Sequence, residues 1–285
     1  MAKTPRSVAK TPEIINFLKQ FKFSASSLDA YLQNPYEFYC RYCLGLRPAD
    51  NLLEDPGSRH VGIYIHDLLE SAFKGFLSSK PVLDQGFRDY FAKLHEAAFA
   101  EVFKKAGRND TFLMETVLKS RLERFLDVES VRCAKEVGRL LYLERKFEDI
   151  VDLGGRRLCL TYRVDRVDEL TDGTILVVDY KTGGADVSPK EPKPEHELSR
   201  EYIRDQVKSF QLPLYVNYLR KAYPVRQVNA ALYHLRGMEL NYFLKDAGPE
   251  GASAVVDNYL KALDFIVAEL YNLEIPFVDD PVVHY

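Results

Sequence analysis

The sequence predicts an α/β fold with a helical N-terminal half and a β-sheet in the second half. In residues 24–130, apolar side chains recur at intervals of three and four, which is typical of amphipathic helices. From Arg139 onward, β-branched and aromatic residues alternate with polar ones or form short runs, which is typical of strands. The change of period therefore divides the chain into a helical part and an α/β part.

The chain has 285 residues and is 46% hydrophobic, so it can bury a large core. We expect a linker-like lead at 1–23 and a single domain at 24–285, with a helical part at 24–130 and an α/β catalytic core at 131–285. The longest apolar runs, such as Ile175–Val178, are far too short to cross a bilayer. The first ten residues are basic and polar with no apolar signal core behind them, so we expect a cytoplasmic protein.

Helix signals are clear in the helical part. Ser24 and Ser27 offer N-caps for a first helix, which Pro35 interrupts. The further helices predicted here are Gly62–Phe76, Gln85–Ala106 and Asp110–Val128.

Three successive strands are predicted in the segments LLYLERKFEDIV, RRLCLTYRVDRVDEL and TILVVDYK. Turns at Asp152–Gly155 and Thr171–Gly173 separate them, and the second contains the Asp-Gly pair that favours hairpins. A polar Pro-rich loop, a helix, a strand and a final helix follow. They are predicted at Gly183–Ser199, Arg200–Ala222, Gln227–Leu235 and Gly251–Leu273.

The charge of the chain limits how it could bind nucleic acid. A net charge of −3 and a pI near 6.1 argue against binding by an overall basic surface, so any such affinity must be local or come from a partner. The sequence has no GxxxxGK[ST] motif and therefore no P-loop motor of its own. It also lacks a GxGxxG loop, which disfavours a nucleotide-binding α/β protein.

The four cysteines do not suggest a disulfide framework in a chain of this length. Cys40 and Cys43 have the spacing of half a zinc site, but no second Cys/His pair follows at a suitable distance. Zinc binding at this pair is therefore disfavoured.

The hairpin around Asp172 carries the charged residues of greatest interest. Side chains alternate along a strand, so Asp179 and Lys181 point to one face and Tyr180 to the other. A loop of odd length centred on Asp172 sets Asp165 opposite Asp179 with Cβ atoms about 5 Å apart, a separation that one hard cation can bridge. A two-residue Asp172-Gly173 loop would instead oppose Asp165 to Tyr180. The ordinary alternative is a strand-end salt bridge beside a solvated carboxylate.

Two helical segments add polar residues that could join this hairpin. His66 and Glu70 lie four residues apart on one helical face. Histidine is a common metal ligand, although a single histidine on a helix more often has a structural role. Gln211 and Tyr215 also share a helical face, and Pro213 kinks or resets that helix. Taken separately, both segments are compatible with ordinary packing.

Five segments, in order and at these spacings, form a more specific pattern: FSASSLDAYLQNPYEFYCRYCLGL, GIYIHDLLE, YRVDRVDEL, VVDYKTGG and QLPLY. Together they resemble the PD-(D/E)XK nuclease superfamily, specifically the RecB-like branch that includes the C-terminal nuclease domains of AddB-type recombination proteins. The resemblance extends from Phe23 to about Pro276 and implies a restriction-endonuclease-like fold, with a mixed sheet core and flanking helices.

The resemblance also implies a site for Mg²⁺ or Mn²⁺ and roles for particular residues. The implied metal ligands are His66, Asp165, Asp179 and the Tyr180 carbonyl. Lys181 would act at the attacking water or the transition-state phosphate, and Gln211 and Tyr215 would orient DNA or the water. Mg²⁺ takes mainly oxygen ligands, so the histidine is the less typical member of this set.

The activity implied is a metal-dependent DNA nuclease, either an exonuclease or a single-strand endonuclease. Its substrate would be single-stranded DNA or DNA ends, and a helicase subunit or domain would be its partner in repair or recombination. The alternative is a non-catalytic module that binds DNA or a partner on the nuclease fold, and a lysine held beside two carboxylates argues against it.

The chain departs from many family members in two places. Asn34-Pro35 stands where they have Cys-Pro, and no cysteine follows Cys159, so we expect no iron–sulfur cluster. Tyr162 stands where they often have glycine, three residues before Asp165, and we expect altered packing there without loss of catalysis.

Overall fold

A computed structural model describes residues 6–46, 56–103, 108–183, 188–193, 195–245 and 248–280, without the side chains of 56–59, 108–111, 249 and 250. The described residues form a mixed sheet with helices on both faces, which confirms the α/β prediction. The core lies in two hydrophobic clusters, one on each face. Consecutive residues of one strand, Val177 and Val178, belong to different clusters and are fully buried.

The strands are β1 (Ser7–Val8), β2 (Lys22–Phe23), β3 (Val137–Leu153), β4 (Arg156–Leu170), β5 (Ile175–Lys181), β6 (Val228–His234), β7 (Glu239–Tyr242) and β8 (Phe277–Val278). The helices are α1 (Pro12–Gln20), α2 (Ala25–Gln33), α3 (Pro35–Phe38), α4 (Pro56–Phe73), α5 (Gln85–Val102), α6 (Arg108–Lys135), α7 (Arg200–Val207), α8 (Gln211–Ala222) and α9 (Pro249–Tyr271). A π-helical turn (Tyr39–Cys43) follows α3, and a 3₁₀ turn (Lys74–Phe76) follows α4.

The main sheet has the order β2-β4-β5-β6-β7, and β3 pairs with β4 along nearly its whole length. β5 and β6 are parallel, as are β2 and β4, whereas the β3–β4, β4–β5 and β6–β7 pairs are antiparallel. The three strands predicted to follow one another are therefore confirmed as β3, β4 and β5.

The described part of the N-terminal segment packs against the core, unlike the linker-like lead predicted for residues 1–23. In its described part, Thr11 caps a helix with Pro12 in its first turn, and this helix buries Ile15 and Leu18. Phe23 is also fully buried and pairs with β4, while β1 pairs with β8. Proline starts this helix instead of interrupting the chain, and the helix packs against the core.

The segment predicted as one helix at Arg200–Ala222 is two helices, α7 and α8. Lys208 has φ +57°, a left-handed conformation that ends α7 and redirects the chain. Pro213 therefore lies in the first turn of α8, where the helix does not need its missing amide.

Other helix predictions need smaller adjustments. The N-cap at Ser24 is confirmed, since its hydroxyl and that of Ser27 form a reciprocal capping box. Helix α6 ends at Lys135, seven residues beyond its predicted end, and the predicted helix end at Ala106 lies outside the described residues. The pattern did not predict the short strand β7. No helix in the described part of the chain is both long and apolar enough to span a membrane.

Candidate active site

The β4–β5 hairpin has the register that a shared site for Asp165 and Asp179 requires. The last observed pair is Arg166 opposite Val178, and extending the same pairing by one residue sets Asp165 opposite Asp179. The connecting turn spans three residues and ends with Gly173 at φ +86°, a conformation that glycine adopts without strain. The odd-length loop, rather than the two-residue alternative, is therefore the one observed.

A third acidic residue, Glu144 of β3, lies in the same row and was not predicted. The pairs Leu143–Arg166 and Arg145–Val164 flank it and set Glu144 opposite Asp165. Its side chain is only 7% exposed, and the Arg163 guanidinium lies 2.6 Å from its carboxylate. Glu144, Asp165 and Asp179 thus occupy facing positions on three neighbouring strands.

Glu144 could have been found from the sequence. The β3–β4 hairpin is closed by Gly154 and Gly155, both with positive φ, and a two-residue loop at these glycines pairs Glu144 with Asp165. Glycine pairs that adopt positive φ favour such two-residue turns, so the same register argument that joined Asp165 to Asp179 applies to this strand.

His66 reaches these carboxylates from α4. Its Nδ1 lies 3.3 Å from Glu144 Oε1 and 3.4 Å from Asp165 Oδ1. Burial by itself would lower the pKa of His66, but hydrogen bonds to Asp165 and Glu144 outweigh it and raise the pKa to about 10. The same contacts, with Arg163, hold the pKa of Glu144 below its ordinary value despite burial. The geometry therefore favours a positive charge between these two carboxylates.

Asp179 and Lys181 form the other side of the site with Gln211 of α8. The Lys181 ammonium lies 2.7 Å from Asp179 Oδ2 and donates a 3.1 Å hydrogen bond to Gln211 Oε1. Gln211 Nε2 donates to Asp179 Oδ1 at 2.8 Å. Burial, followed by the charge of Asp165, raises the pKa of Asp179 to about 6. Asp179 and Lys181 share one face of β5, as predicted.

Tyr215 links this group to the sheet. Its hydroxyl accepts a 2.9 Å hydrogen bond from Gln211 Nε2 and donates a 2.6 Å bond to the Arg163 carbonyl. Tyr215 is buried, so these contacts fix the Gln211 amide relative to β4.

Tyr180 takes part through its backbone, while its ring anchors the strand on the opposite face. Its amide donates a 2.7 Å hydrogen bond to Asp165 Oδ2. Its hydroxyl lies 3.5 Å from the Arg166 guanidinium. Arg166 belongs to a buried ion network that joins α6 to β4, formed by Glu129, Arg132, Arg166 and Asp168.

Asp29 of α2, a residue that sequence reasoning missed, sets the start of α8. Its carboxylate accepts a 2.7 Å hydrogen bond from the Ser209 hydroxyl and a 3.2 Å bond from the Phe210 amide, just before Gln211. Burial raises the pKa of Asp29 to about 6 despite these bonds. Helix α2 thereby holds the residues that lead into the helix that carries Gln211.

Comparison with known proteins identifies the family of this chain. A family model described as the PD-(D/E)XK nuclease superfamily matches residues 22–277. The chain belongs to the PD-(D/E)XK nuclease superfamily. The matched region contains every residue of the site described above.

Several curated proteins are similar in sequence to part of this chain. A protein from Streptococcus agalactiae that is named as a subunit of an ATP-dependent helicase/deoxyribonuclease is 28% identical over 169 residues, covering 56% of this chain and 14% of that protein. Its Streptococcus uberis namesake is 25% identical over 56% of this chain and 14% of its own length. An uncharacterised Rickettsia felis protein is 26% identical over 56% of this chain and 18% of its own. The chain thus spans less than a fifth of the length of these relatives.

Among solved structures, that of SSO0001 aligns with 59% of this chain and 69% of its own, at 10% identity and a TM-score of 0.22. This likeness is too low to support a conclusion.

Members of this superfamily typically use divalent metal ions, and the residues present fit such an ion. Among the described residues, the potential ligand atoms of His66, Glu144 and Asp165 all lie within 4.8 Å of one another. Beside them, the Asp179 carboxylate is buried, with the Lys181 ammonium 2.7 Å from its Oδ2. Carboxylate oxygens and an imidazole nitrogen are ligand types that bind divalent ions. This donor set can accommodate a cation.

The structure brings the seven predicted site residues into one region, connected by the contacts given above. They are His66, Asp165, Asp179, Tyr180, Lys181, Gln211 and Tyr215. Asp179 lies beside the three-residue metal group rather than within it. At the position where many family members have glycine, Tyr162 is buried and its ring centroid lies 6.2 Å from that of Tyr215.

Proposed function

We propose that this chain is a DNA nuclease that hydrolyses phosphodiester bonds with Mg²⁺ or Mn²⁺. The observation that carries the proposal is the placement of the Asp179–Lys181 pair beside the His66, Glu144 and Asp165 group. Carboxylates, an imidazole and an ammonium in one partly buried site match the needs of phosphodiester hydrolysis, in which negative charge grows on the phosphate.

His66, Glu144, Asp165 and Asp179 would hold the divalent ion, with the Tyr180 carbonyl as a further ligand. A bound divalent ion of this kind lowers the pKa of a water ligand and neutralises charge on the phosphate. The His66 proton must leave when its nitrogen binds a metal, so metal binding and proton release are linked at this residue.

The chain's own groups would position the reaction. The Lys181 ammonium supplies positive charge where the phosphate oxygens gain negative charge, and Gln211 holds that ammonium through its amide oxygen. The Gln211 NH₂ group binds both Asp179 and Tyr215, so it fixes the carboxylate and the helix together. These contacts keep the reacting side chains within a narrow range of positions before substrate arrives.

We propose DNA as the substrate and a helicase as the partner because several relatives are named as subunits of an ATP-dependent helicase/deoxyribonuclease. This chain contains no P-loop motif, so ATP-driven strand separation would have to come from another domain or chain. Single-stranded DNA, or the ends a helicase exposes, is the expected substrate.

The proposal is tested with end-labelled single-stranded and blunt duplex DNA in Mg²⁺, in Mn²⁺ and in EDTA. Wild-type protein should cleave DNA only with a divalent ion. Lys181→Met and Asp179→Asn should each slow cleavage at least about a hundredfold while leaving the fold unchanged by circular dichroism. Lys19→Met, at an exposed lysine of α1, is the matched control and should cleave as wild type. Absence of cleavage with either ion on DNA would instead support the non-catalytic binding module.

A further inference from the structure

A strip of partly exposed aromatic rings leads away from the active site between β3 and α8. We call it the aromatic strip; it consists of Tyr142, Phe147, Tyr218 and Tyr223, with Arg145 above it. The ring centroids of Tyr142 and Phe147 are 5.6 Å apart, and those of Phe147 and Tyr218 are 4.9 Å apart. The Tyr142 and Tyr223 hydroxyls meet at 2.9 Å. These contacts hold the rings in fixed positions.

Arg145 places a positive charge on this strip. Its guanidinium carbon lies 4.3 Å from the Tyr142 ring centroid and 5.3 Å from that of Phe147. The residue is exposed, and within the described part of the chain it has no carboxylate in ion-pair range. By contrast, Lys221 of α8 is paired with Asp149 at 2.8 Å. The charge of Arg145 is thus available to a phosphate.

The strip is continuous with the active site through both the strand and the helix. Arg145 directly follows Glu144, the acidic residue opposite Asp165. Tyr218 follows Tyr215 by one helical turn, and the Tyr162 ring contacts both, with centroids 6.2 Å from Tyr215 and 5.4 Å from Tyr218. The helix that carries Gln211 and Tyr215 therefore also carries one ring of the strip, which places the strip next to the site.

The combination of rings and a guanidinium fits a single strand better than a duplex. Unpaired bases can stack on aromatic rings and on a planar guanidinium, whereas duplex bases are already stacked on one another. The chain carries a net charge of −3, so it has no general attraction for phosphate and needs local contacts of this kind.

We propose that the aromatic strip binds single-stranded DNA next to the active site and guides it there. This inference rests on the proposed nuclease function. It assigns the charge of Arg145 to a backbone phosphate, and the guanidinium plane together with the Tyr142 and Phe147 rings that support it to the stacking of bases.

The test measures binding of fluorescein-labelled oligo(dT) to the full chain in EDTA, where cleavage cannot interfere. Arg145→Ala and Tyr142→Leu should each weaken binding about tenfold, the size of one lost stacking or phosphate contact. Tyr142→Phe keeps the ring and should bind within twofold of wild type. Arg124→Ala, at an exposed arginine of α6, is the matched control for loss of one positive charge and should leave binding unchanged.

Two further measurements separate this proposal from general charge effects and from the proposed function. Arg145→Ala should reduce the slope of log affinity against log salt by about 0.7, as expected when one single-strand phosphate contact is lost. A blunt duplex should compete more weakly than oligo(dT). Equal losses of affinity in Arg145→Ala and Arg124→Ala would overturn the proposal that the strip binds DNA. Unchanged binding by a correctly folded Tyr142→Leu variant would overturn it as well. Strip-dependent binding without any cleavage would support the strip and refute the nuclease.

Discussion

Replacing Arg166 by methionine would remove the guanidinium at the centre of the buried ion network and should strongly destabilise the fold. The Arg166 side chain is fully buried and donates hydrogen bonds of 2.7 Å to Asp168 and 2.8 Å to Glu129. It also lies 4.7 Å above the Phe73 ring, so methionine would retain part of the packing but none of the charge. Two arginines and two carboxylates balance in the wild-type network, whereas the variant would bury one unpaired carboxylate.

The expected cost follows from that imbalance. Breaking a buried ion pair by removing one partner costs about 3–5 kcal/mol, because the remaining charge stays buried without compensation. Folded proteins are typically stable by about 5–15 kcal/mol, so the variant would lose a large fraction of its free energy of unfolding. The corresponding fall in Tm is about 10 °C for a domain of this size.

The cost should also depend on pH in a defined direction. Burial raises the pKa of Glu129, but the charges of Arg132 and Arg166 outweigh it and lower the pKa from its ordinary 4.5 to about 2. The stabilisation from this lowered pKa is complete above pH 4.5 and is lost as the pH falls towards 2. In Arg166→Met the surplus carboxylate binds a proton more readily. The difference from wild type should therefore be largest at neutral pH and shrink on acidification.

Urea unfolding at pH 7 and at lower pH measures this difference, with Arg157→Met as an exposed control on the same strand. Adding Glu129→Gln to Arg166→Met leaves Arg132 facing Asp168, so the double variant should lose less stability than the sum of the single variants. A loss below about 1 kcal/mol for Arg166→Met would refute the reasoning, since that value is typical of an ordinary substitution. Strict additivity of the two changes would refute it as well.

Three further predictions concern the site. Glu144→Gln should raise the Mg²⁺ concentration needed for half-maximal cleavage at least about tenfold. The control variant Glu148→Gln, on the same strand, should leave that concentration unchanged. Equal effects of the two substitutions would remove Glu144 from the ligand set. Asp29→Ala should cost about 1 kcal/mol in urea unfolding through loss of its hydrogen bonds to Ser209 and Phe210. It should also lower kcat more than Asp29→Asn does, because Gln211 is then less well held, and a normal kcat in Asp29→Ala would contradict this. Tyr215→Phe should lose about 1 kcal/mol of stability in urea unfolding, because the hydroxyl hydrogen bonds are lost, and should retain measurable cleavage. Complete loss of cleavage would instead show a direct chemical role for the hydroxyl.

The sequence was informative wherever neighbouring strands were joined by short turns. The three-residue turn at Thr171–Gly173 and the two-residue turn at Gly154–Gly155 each fix which residues face one another, because side chains alternate along strands. The first turn sets Asp165 opposite Asp179, and the second sets Glu144, which was not predicted, opposite Asp165.

Long-range packing explains what the pattern could not give. Residues 1–23 were predicted to be a linker-like lead, yet in the described part of that segment one apolar face of α1 and the buried ring of Phe23 join it to the sheet. The break between α7 and α8 follows from the left-handed backbone at Lys208 and from the hydrogen bond that Asp29 accepts from Ser209, a residue 180 positions later in the chain. No local periodicity carries either piece of information.

The sequence by itself determined the α/β class and the superfamily resemblance, and its short turns limited which acidic residues could face one another, because all of these depend on local spacing. Only the tertiary structure decided that His66 meets Glu144 across 78 residues and that Gln211 meets Asp179 across 32. Those contacts depend on how helices pack against the two faces of the sheet. Such packing is chosen by the burial of many side chains at once rather than by any one segment.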